Sequence, residues 1–254
     1  VRGNSFATFS SVKKETWKDL VEKLKKSLEG AWQSRSETSY QIADHFCAAS
    51  GDKVTLNYYP VSRKAGIQGA VTPFFQEVLS EILSNLGIEE TALDRVYSDV
   101  YRATVDSRDI SARFQNQFKF PADYPPVIKN LVRTALINLA VNYECPENSH
   151  FVFPALRAVE GHLKYLFSKN GVIVSEKGFG EYFAGKSEDG AFRLKNTRLR
   201  HASEICEAYT FWHSQRHTLF HYGNLIGKID TTRELKTKAE ANEIIQRALM
   251  IVKI

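Results

Sequence analysis

The hydrophobic period of this 254-residue chain changes twice, and that change limits the folds open to it. Trp17, Leu20, Val21, Leu24 and Leu28 recur at helical spacing across Ser11–Glu29, with lysines and acids between them. Ser11 can cap this helix and Gly30 can stop it. The next stretch abandons that period. Ser39–Ala48 and Lys53–Tyr59 read as strands around the turn residues Ser50-Gly51-Asp52, and a shorter strand over Ala65–Gly69 follows Pro60. Thr72 and Pro73 then open a second helix to about Leu86, with Phe74, Phe75, Val78, Leu79, Ile82 and Leu83 on its apolar face. Residues 1–87 therefore read as a small α+β domain of helix, antiparallel strands and helix.

Beyond Ile88 the strand signal fades. Thr91–Val105 reads as a helix, and Ser107–Pro126, polar with three prolines near its end, reads as a linker or irregular connection. Three clear helical segments follow, over Pro126–Glu144, Phe151–Phe167 and Ala202–Tyr222. Pro154 falls in the first turns of the second of these, where a missing N–H costs little. A last helix, capped by Thr231 or Thr232, runs to the C-terminus. Residues 88–254 thus form a helical domain with its core at 126–254 and room for a four- or five-helix bundle. The expected fold class is α+β: a small N-terminal α+β domain followed by an all-α bundle.

Composition removes several function classes. With 43% hydrophobic and 25% charged residues the chain matches ordinary globular usage, which excludes a disordered or collagen-like protein. No apolar run approaches the ~18–20 residues that span a bilayer, and Val1–Ser10 lacks a signal-peptide core. Cys47, Cys145 and Cys206 are odd in number and dispersed, so neither a disulfide framework nor a zinc motif is expected, and a reducing cytoplasm is. The chain opens on Val rather than Met, as a trimmed chain or part of a longer protein would. Residues 191–254 carry 11 Lys/Arg against 6 Asp/Glu, a surplus of 5 that equals the net charge of the whole chain. A basic region suits a polyanion, and it suits a solvated face as well.

Chemistry-bearing residues concentrate in three places. The connection Gly171–His201 interleaves Phe179, Tyr182 and Phe183 with Arg193, Lys195, Arg198 and Arg200. That mixture fits a nucleic-acid strand, with its charged backbone and stackable bases. It also fits a loop whose aromatic residues plug the bundle. The second place is Tyr209–His221, where His213, His217 and His221 sit four apart and would line one stripe of a helix. Such a stripe can chelate a metal, but no carboxylate or cysteine lies between Glu207 and Asp230 to complete a site. The same segment holds Arg216 and His221 as R-x4-H. A histidine can move a proton near neutrality and an arginine can grip a phosphate, the two needs of RNA cleavage by its own 2′-hydroxyl. Five residues at ~100° each place these side chains about 140° apart on a regular helix, so they converge only if the helix is irregular, the arginine wraps back or a second protomer contributes. The third place is Arg157 and Glu160, three apart and on one helical face, which reads as a surface ion pair or as an oriented phosphate-binding cation.

Three blocks in order, F-P-A-L-R-A-V-E-G-H-L-K, G-F-G-E-Y-F and A-Y-T-F-W…R-H-T-L-F-H, resemble the C-terminal half of the RNase LS toxins, endoribonucleases of the HEPN superfamily. The match spans Phe151–Tyr222. The resemblance implies a HEPN-type bundle and metal-independent, cofactor-free cleavage of mRNA in a bacterial toxin–antitoxin system that acts against phage. It implies that His221 is the catalytic histidine, that Arg216 stands beside it, and that Arg157 and Glu160 complete the site. It implies a homodimer and a cognate or phage-encoded antitoxin as partner. The family carries two related α+β domains before its bundle, whereas this chain has room for one. The alternatives are a non-catalytic HEPN module that binds RNA or protein, and a metal enzyme on the three histidines.

Overall fold

The computed structural model describes residues 4–88, 90–142, 147–175, 178–188, 190–220 and 233–253. The chain divides into two compact units, Val1–Ile110 with Ala140–Glu144, and Ser111–Leu139 with Cys145–Ile254. The overall class is the expected α+β, with an antiparallel sheet in the first unit and mostly helices in the second.

The sheet of the first unit has five strands: β1 (Ser5–Phe9), β2 (Trp32–Glu37), β3 (Ile42–Cys47), β4 (Lys53–Tyr59) and β5 (Lys64–Gly69). Their spatial order is β1-β5-β4-β3-β2, all antiparallel. Alternating Cβ directions sort the sheet into two faces. Ala7, Phe9, Phe46, Val54, Leu56, Tyr58 and Ile67 are buried on one of them. Helices α1 (Lys14–Ser27) and α2 (Pro73–Leu86) add Trp17, Leu20, Leu24, Phe75, Val78 and Ile82 to the core. Tyr58 joins sheet to helix: its ring stacks on Trp17 at 6.4 Å, and its hydroxyl donates to the Val12 carbonyl at 3.1 Å. On β3, Asp44 is fully buried, and Arg35 holds it with two bonds of 3.0 Å while Trp32 Nε1 donates at 3.2 Å. A carboxylate withdrawn from water needs such donors. Helix α3 (Glu90–Tyr101) closes the unit, with Tyr101 accepting a bond of 3.1 Å from the buried amide of Gln76.

The sequence marked three strands and the sheet has five. β2 reads WQSRSE and is exposed at every position, so it offers no hydrophobic alternation to find. β1 is only five residues long. The strand expected over Ser39–Ala48 is β3, shorter at both ends. The stretch expected as a linker contains helix α4 (Ser107–Gln117), because Asp106 Oδ1 accepts from the backbone N–H groups of Arg108 and Asp109 at 2.9 and 3.2 Å. That is an N-cap, which a count of prolines overlooks.

The second unit is built from α5 (Pro126–Ala140), α6 (Ser149–Ser168), α7 (Ala202–Phe220) and α8 (Lys238–Val252). Helix α6 is its centre, with buried residues around most of its circumference, and it packs against both α7 and α8. It begins two residues earlier than expected, so Pro154 lies in its second turn rather than at its entrance. Gly161 lets α5 come close, since a Cβ there would stand 2.9 Å from Ile128 Cγ1. Thr231 and Thr232 lie outside the described residues. The described part of the last helix starts at Lys238 with a complete capping box: Thr237 Oγ1 accepts from the Glu240 N–H at 3.2 Å, and Glu240 Oε2 accepts from the Thr237 N–H at 3.1 Å.

Between α6 and α7 the chain makes a 3₁₀ turn over Phe179–Tyr182 and a hairpin of β6 (Phe183–Lys186) and β7 (Phe192–Leu194). Of the two readings offered for this connection, its aromatic residues take the plug. Phe179, Phe183 and Leu194 are buried, Phe183 stacks on Tyr209 at 3.9 Å, and Phe179 meets Trp212 edge-on at 5.3 Å. Gly178 admits this path through a φ of 82°, a backbone conformation other residues rarely adopt.

Candidate active site

Helices α6 and α7 run antiparallel, and two contacts fix how they align. At one end the Asn170 side chain accepts from the Arg200 N–H at 2.6 Å and donates to the Arg200 carbonyl at 3.1 Å. At the other end the rings of Phe153 and Phe220 meet edge-on with centroids 5.6 Å apart. Arg157 lies four residues after Phe153, and Arg216 lies four residues before Phe220. At 1.5 Å rise per residue each arginine stands about 6 Å along its helix from the ring pair, in the same direction. Four residues also turn the helix by only about 40°, so each arginine stays on its phenylalanine's side. The two arginines, 59 positions apart in sequence, are thus level on facing helices.

Their surroundings differ. Arg157 is half-buried, whereas Arg216 is exposed with its guanidinium carbon 5.1 Å from the centre of the Trp212 ring. Trp212 is itself buried against Phe179 of the plug, so the aromatic core gives Arg216 a fixed stage. Glu160 follows Arg157 by one turn, and its Oε1 accepts from Lys164 Nζ at 2.9 Å. The rings of His213 and His217 lie 4.1 Å apart between centroids, tilted by 45°. His221 lies outside the described residues; Phe220, its neighbour in sequence, is the last described residue of α7.

The four basic residues expected to contact RNA are placed as follows. Arg193 is exposed on β7, beside the buried Leu194. Lys195 is exposed, and its ammonium donates to the Glu181 carbonyl at 2.7 Å. Arg198 and Arg200 are exposed in the turns before α7, where the Arg198 N–H donates to Asn196 Oδ1 at 3.1 Å. All four belong to the hairpin connection and the turns after it, rather than to the α6–α7 face that carries Arg157 and Arg216.

The second unit also holds a buried polar pair. The Tyr124 hydroxyl and His162 Nδ1 are hydrogen-bonded at 2.9 Å. Burial, with a smaller push from His201, lowers the His162 pKa to about 4, and burial raises that of Tyr124. The imidazole is neutral at physiological pH and serves the core. Sequence reasoning missed Phe153, Trp212 and Phe220 as site residues, although the i±4 spacing of the two phenylalanines from the arginines was there to read.

Fold and side-chain placement define a two-unit α+β protein whose helical unit presents arginines from two antiparallel helices. The family model described as "RNase LS, bacterial toxin" matches residues 3–87, and that described as "RNase LS, bacterial toxin DBD domain" matches residues 105–223. The chain belongs to the RNase LS toxin family. The resemblance seen over Phe151–Tyr222 therefore extends over the N-terminal unit as well. The mRNA endoribonuclease LsoA of Escherichia coli O157:H7 is 26% identical over 206 residues, 78% of this chain and 58% of that protein. The mRNA endoribonuclease toxin LS of Escherichia coli strain K12 is 23% identical over 209 residues, 80% of this chain and 57% of that protein. The chain thus spans somewhat more than half the length of these relatives. In fold it is similar to Escherichia coli toxin LsoA in a crystal structure with the T4 phage antitoxin Dmd, with a TM-score of 0.56, 20% identity and coverage of 98% and 97% of the two chains.

Proposed function

We propose that this chain is the toxin of a toxin–antitoxin system that acts against phage, a metal-independent endoribonuclease of the HEPN type that cuts mRNA in the cytoplasm. The observation that carries the reading is the level placement of Arg157 and Arg216, which gives a phosphate two cations from two helices. In the proposed reaction the ribose 2′-oxygen attacks the adjacent phosphorus as its proton leaves to a base. The P–O5′ bond breaks, the 5′-oxygen takes a proton, and a 2′,3′-cyclic phosphate and a 5′-hydroxyl remain. His221 serves one of the two proton transfers. Arg216 and Arg157 hold the phosphate and its developing charge, and Glu160 positions Arg157. Arg193, Lys195, Arg198 and Arg200 steer the RNA backbone.

The chain works in this reading as a homodimer, in which a second protomer supplies the way past the 140° between Arg216 and His221. An antitoxin restrains it. Support comes from similarity to LsoA, which is named an mRNA endoribonuclease, and from the crystal structure of LsoA in complex with a phage antitoxin.

The test is cleavage of a long unstructured RNA in EDTA by the wild type and His221→Ala. Cyclic-phosphate ends from the wild type alone support the assignment. RNA bound tightly but left intact by the wild type would point instead to a non-catalytic binding module. Activity lost in EDTA and restored by one divalent ion would favour the histidine-metal reading.

A further inference from the structure

We infer that the open face of the five-stranded sheet is a second binding surface for the same substrate, a platform for a short stretch of single-stranded RNA. The inference rests on the reading of the chain as a ribonuclease, and it places RNA contact on a unit that carries none of the proposed catalytic residues.

The register defines the face. One row runs straight across it: Phe6 pairs with Gln68, Gln68 with Thr55, and Thr55 with His45. At ~4.8 Å between strands, this row measures about 14 Å from Phe6 to His45. Phe6 stands at its end with 51% of its surface exposed, a ring open to solvent on the strand that edges the sheet. A groove of about 510 Å³ runs beside it, with Ala43 and Asn57 among its lining residues. Lys53 lies on one side of the row and Lys64 on the other, and Tyr59 is an exposed ring next to Lys64.

Charge supports a polyanion as the occupant. The sheet strands contain two acidic residues, Glu37 and Asp44, and both share the register of the helix-covered face: Glu37 pairs with Ile42, and Asp44 is buried on Arg35. Among the described strand residues the open face carries two lysines, an imidazole and no carboxylate. A protein partner of basic character has nothing to pair with there, and an acidic peptide would leave the aromatic rings unused. Single-stranded RNA uses every part: bases stack on Phe6 and Tyr59, the exposed Gln68 amide and the Thr55 hydroxyl reach base edges, and the lysines neutralise phosphates. Small open sheets that bind RNA in this way take two or three bases, which matches the width of this row.

The experiment measures binding apart from cleavage. A fluorescein-labelled single-stranded 2′-O-methyl oligoribonucleotide, which lacks the attacking hydroxyl, is titrated into the whole chain and followed by anisotropy at several salt concentrations. Phe6→Ala is expected to weaken binding about fivefold or more, the loss of one stacked base, while Phe6→Tyr keeps it. Lys53→Ala with Lys64→Ala is expected to lower the slope of log K against log salt by about 1.4, at ~0.7 per phosphate on a single strand. These exposed side chains are expected to change without loss of the core, and circular dichroism of each variant checks this. Affinity within twofold of wild type in all these variants overturns the platform, whether or not the chain cuts RNA. Changes confined to self-association or to protein capture also overturn it. A wild type that does not cut unmodified RNA, yet shows these losses, would sink the nuclease reading and leave the platform standing.

Discussion

Phe153 and Phe220 meet ring edge to ring face at 5.6 Å, and each lies one helical turn from an arginine. This contact sets the register of α6 against α7, and the Asn170–Arg200 pair at the far end agrees with it. Residues whose numbers sum to about 373 are therefore level on the two helices, which puts Arg157 level with Arg216 and Glu160 level with His213. On the proposed function, a phosphate held at this height would meet planar, permanently charged donors from both helices.

Removing either cation is expected to cost cleavage rather than folding. Arg157→Ala and Arg216→Ala should each lower kcat by about 10²–10³, the loss that follows removal of one preorganised donor. Arg216→Lys should recover only part of it, because an ammonium cannot bridge two oxygens in one plane. Single-turnover cleavage with unchanged thermal melting is the measurement. Wild-type rates in both alanine variants would remove the arginines from the site.

The ring contact should matter for geometry more than for stability. Phe153→Ala removes a half-buried ring and is expected to destabilise the chain by about 2 kcal/mol, below the ~3–5 of a fully buried phenylalanine. Cleavage should fall further than that loss explains at temperatures where the variant is folded. Urea midpoints and kcat measured on the same preparations separate the two effects.

His162 gives the second unit a pH dependence with a definite sign. Its pKa lies near 4 in the folded chain and near 6.5 when unfolded. Between those values the unfolded state takes up a proton that the folded state refuses, so stability falls as pH falls. The full difference is about 3 kcal/mol at the acid end, and it vanishes above about pH 6.5. His162→Gln should make the urea midpoint less sensitive between neutral pH and about pH 4. An equal shift in wild type and variant would show that another group carries the acid response.

The capping box of α8 is a simpler case. Thr237→Ala removes one bond to the Glu240 N–H and is expected to cost about 1 kcal/mol. Thr237→Ser should restore it. Because α8 packs on α6, the loss should appear in global melting and not only as fraying.

What the sequence disclosed and what it hid follow from the same physics. Helices with one apolar stripe, such as α1 and α2, announce themselves through spacing, and their bounds were legible to within a few residues. β2 buries nothing and so has no pattern, and α4 owes its start to one aspartate cap. Arg157, Glu160 and Arg216 were visible as residue types and through family resemblance. Their alignment was not, because it depends on two rings 67 positions apart in sequence and on a plug whose basic residues looked like its main feature.

The plug between α6 and α7 has a mechanical consequence. Phe179, Phe183 and Tyr209 fill the space between the helices, and the Asn170–Arg200 pair clamps their far end. Sliding one helix along the other would break stacked rings and two hydrogen bonds together. The two arginine-bearing helices thus act as a rigid jaw. On the proposed function the flexible member of the encounter would be the RNA strand, which would have to bend its own backbone to fit, so that the ease of distorting a given sequence would become a source of selectivity.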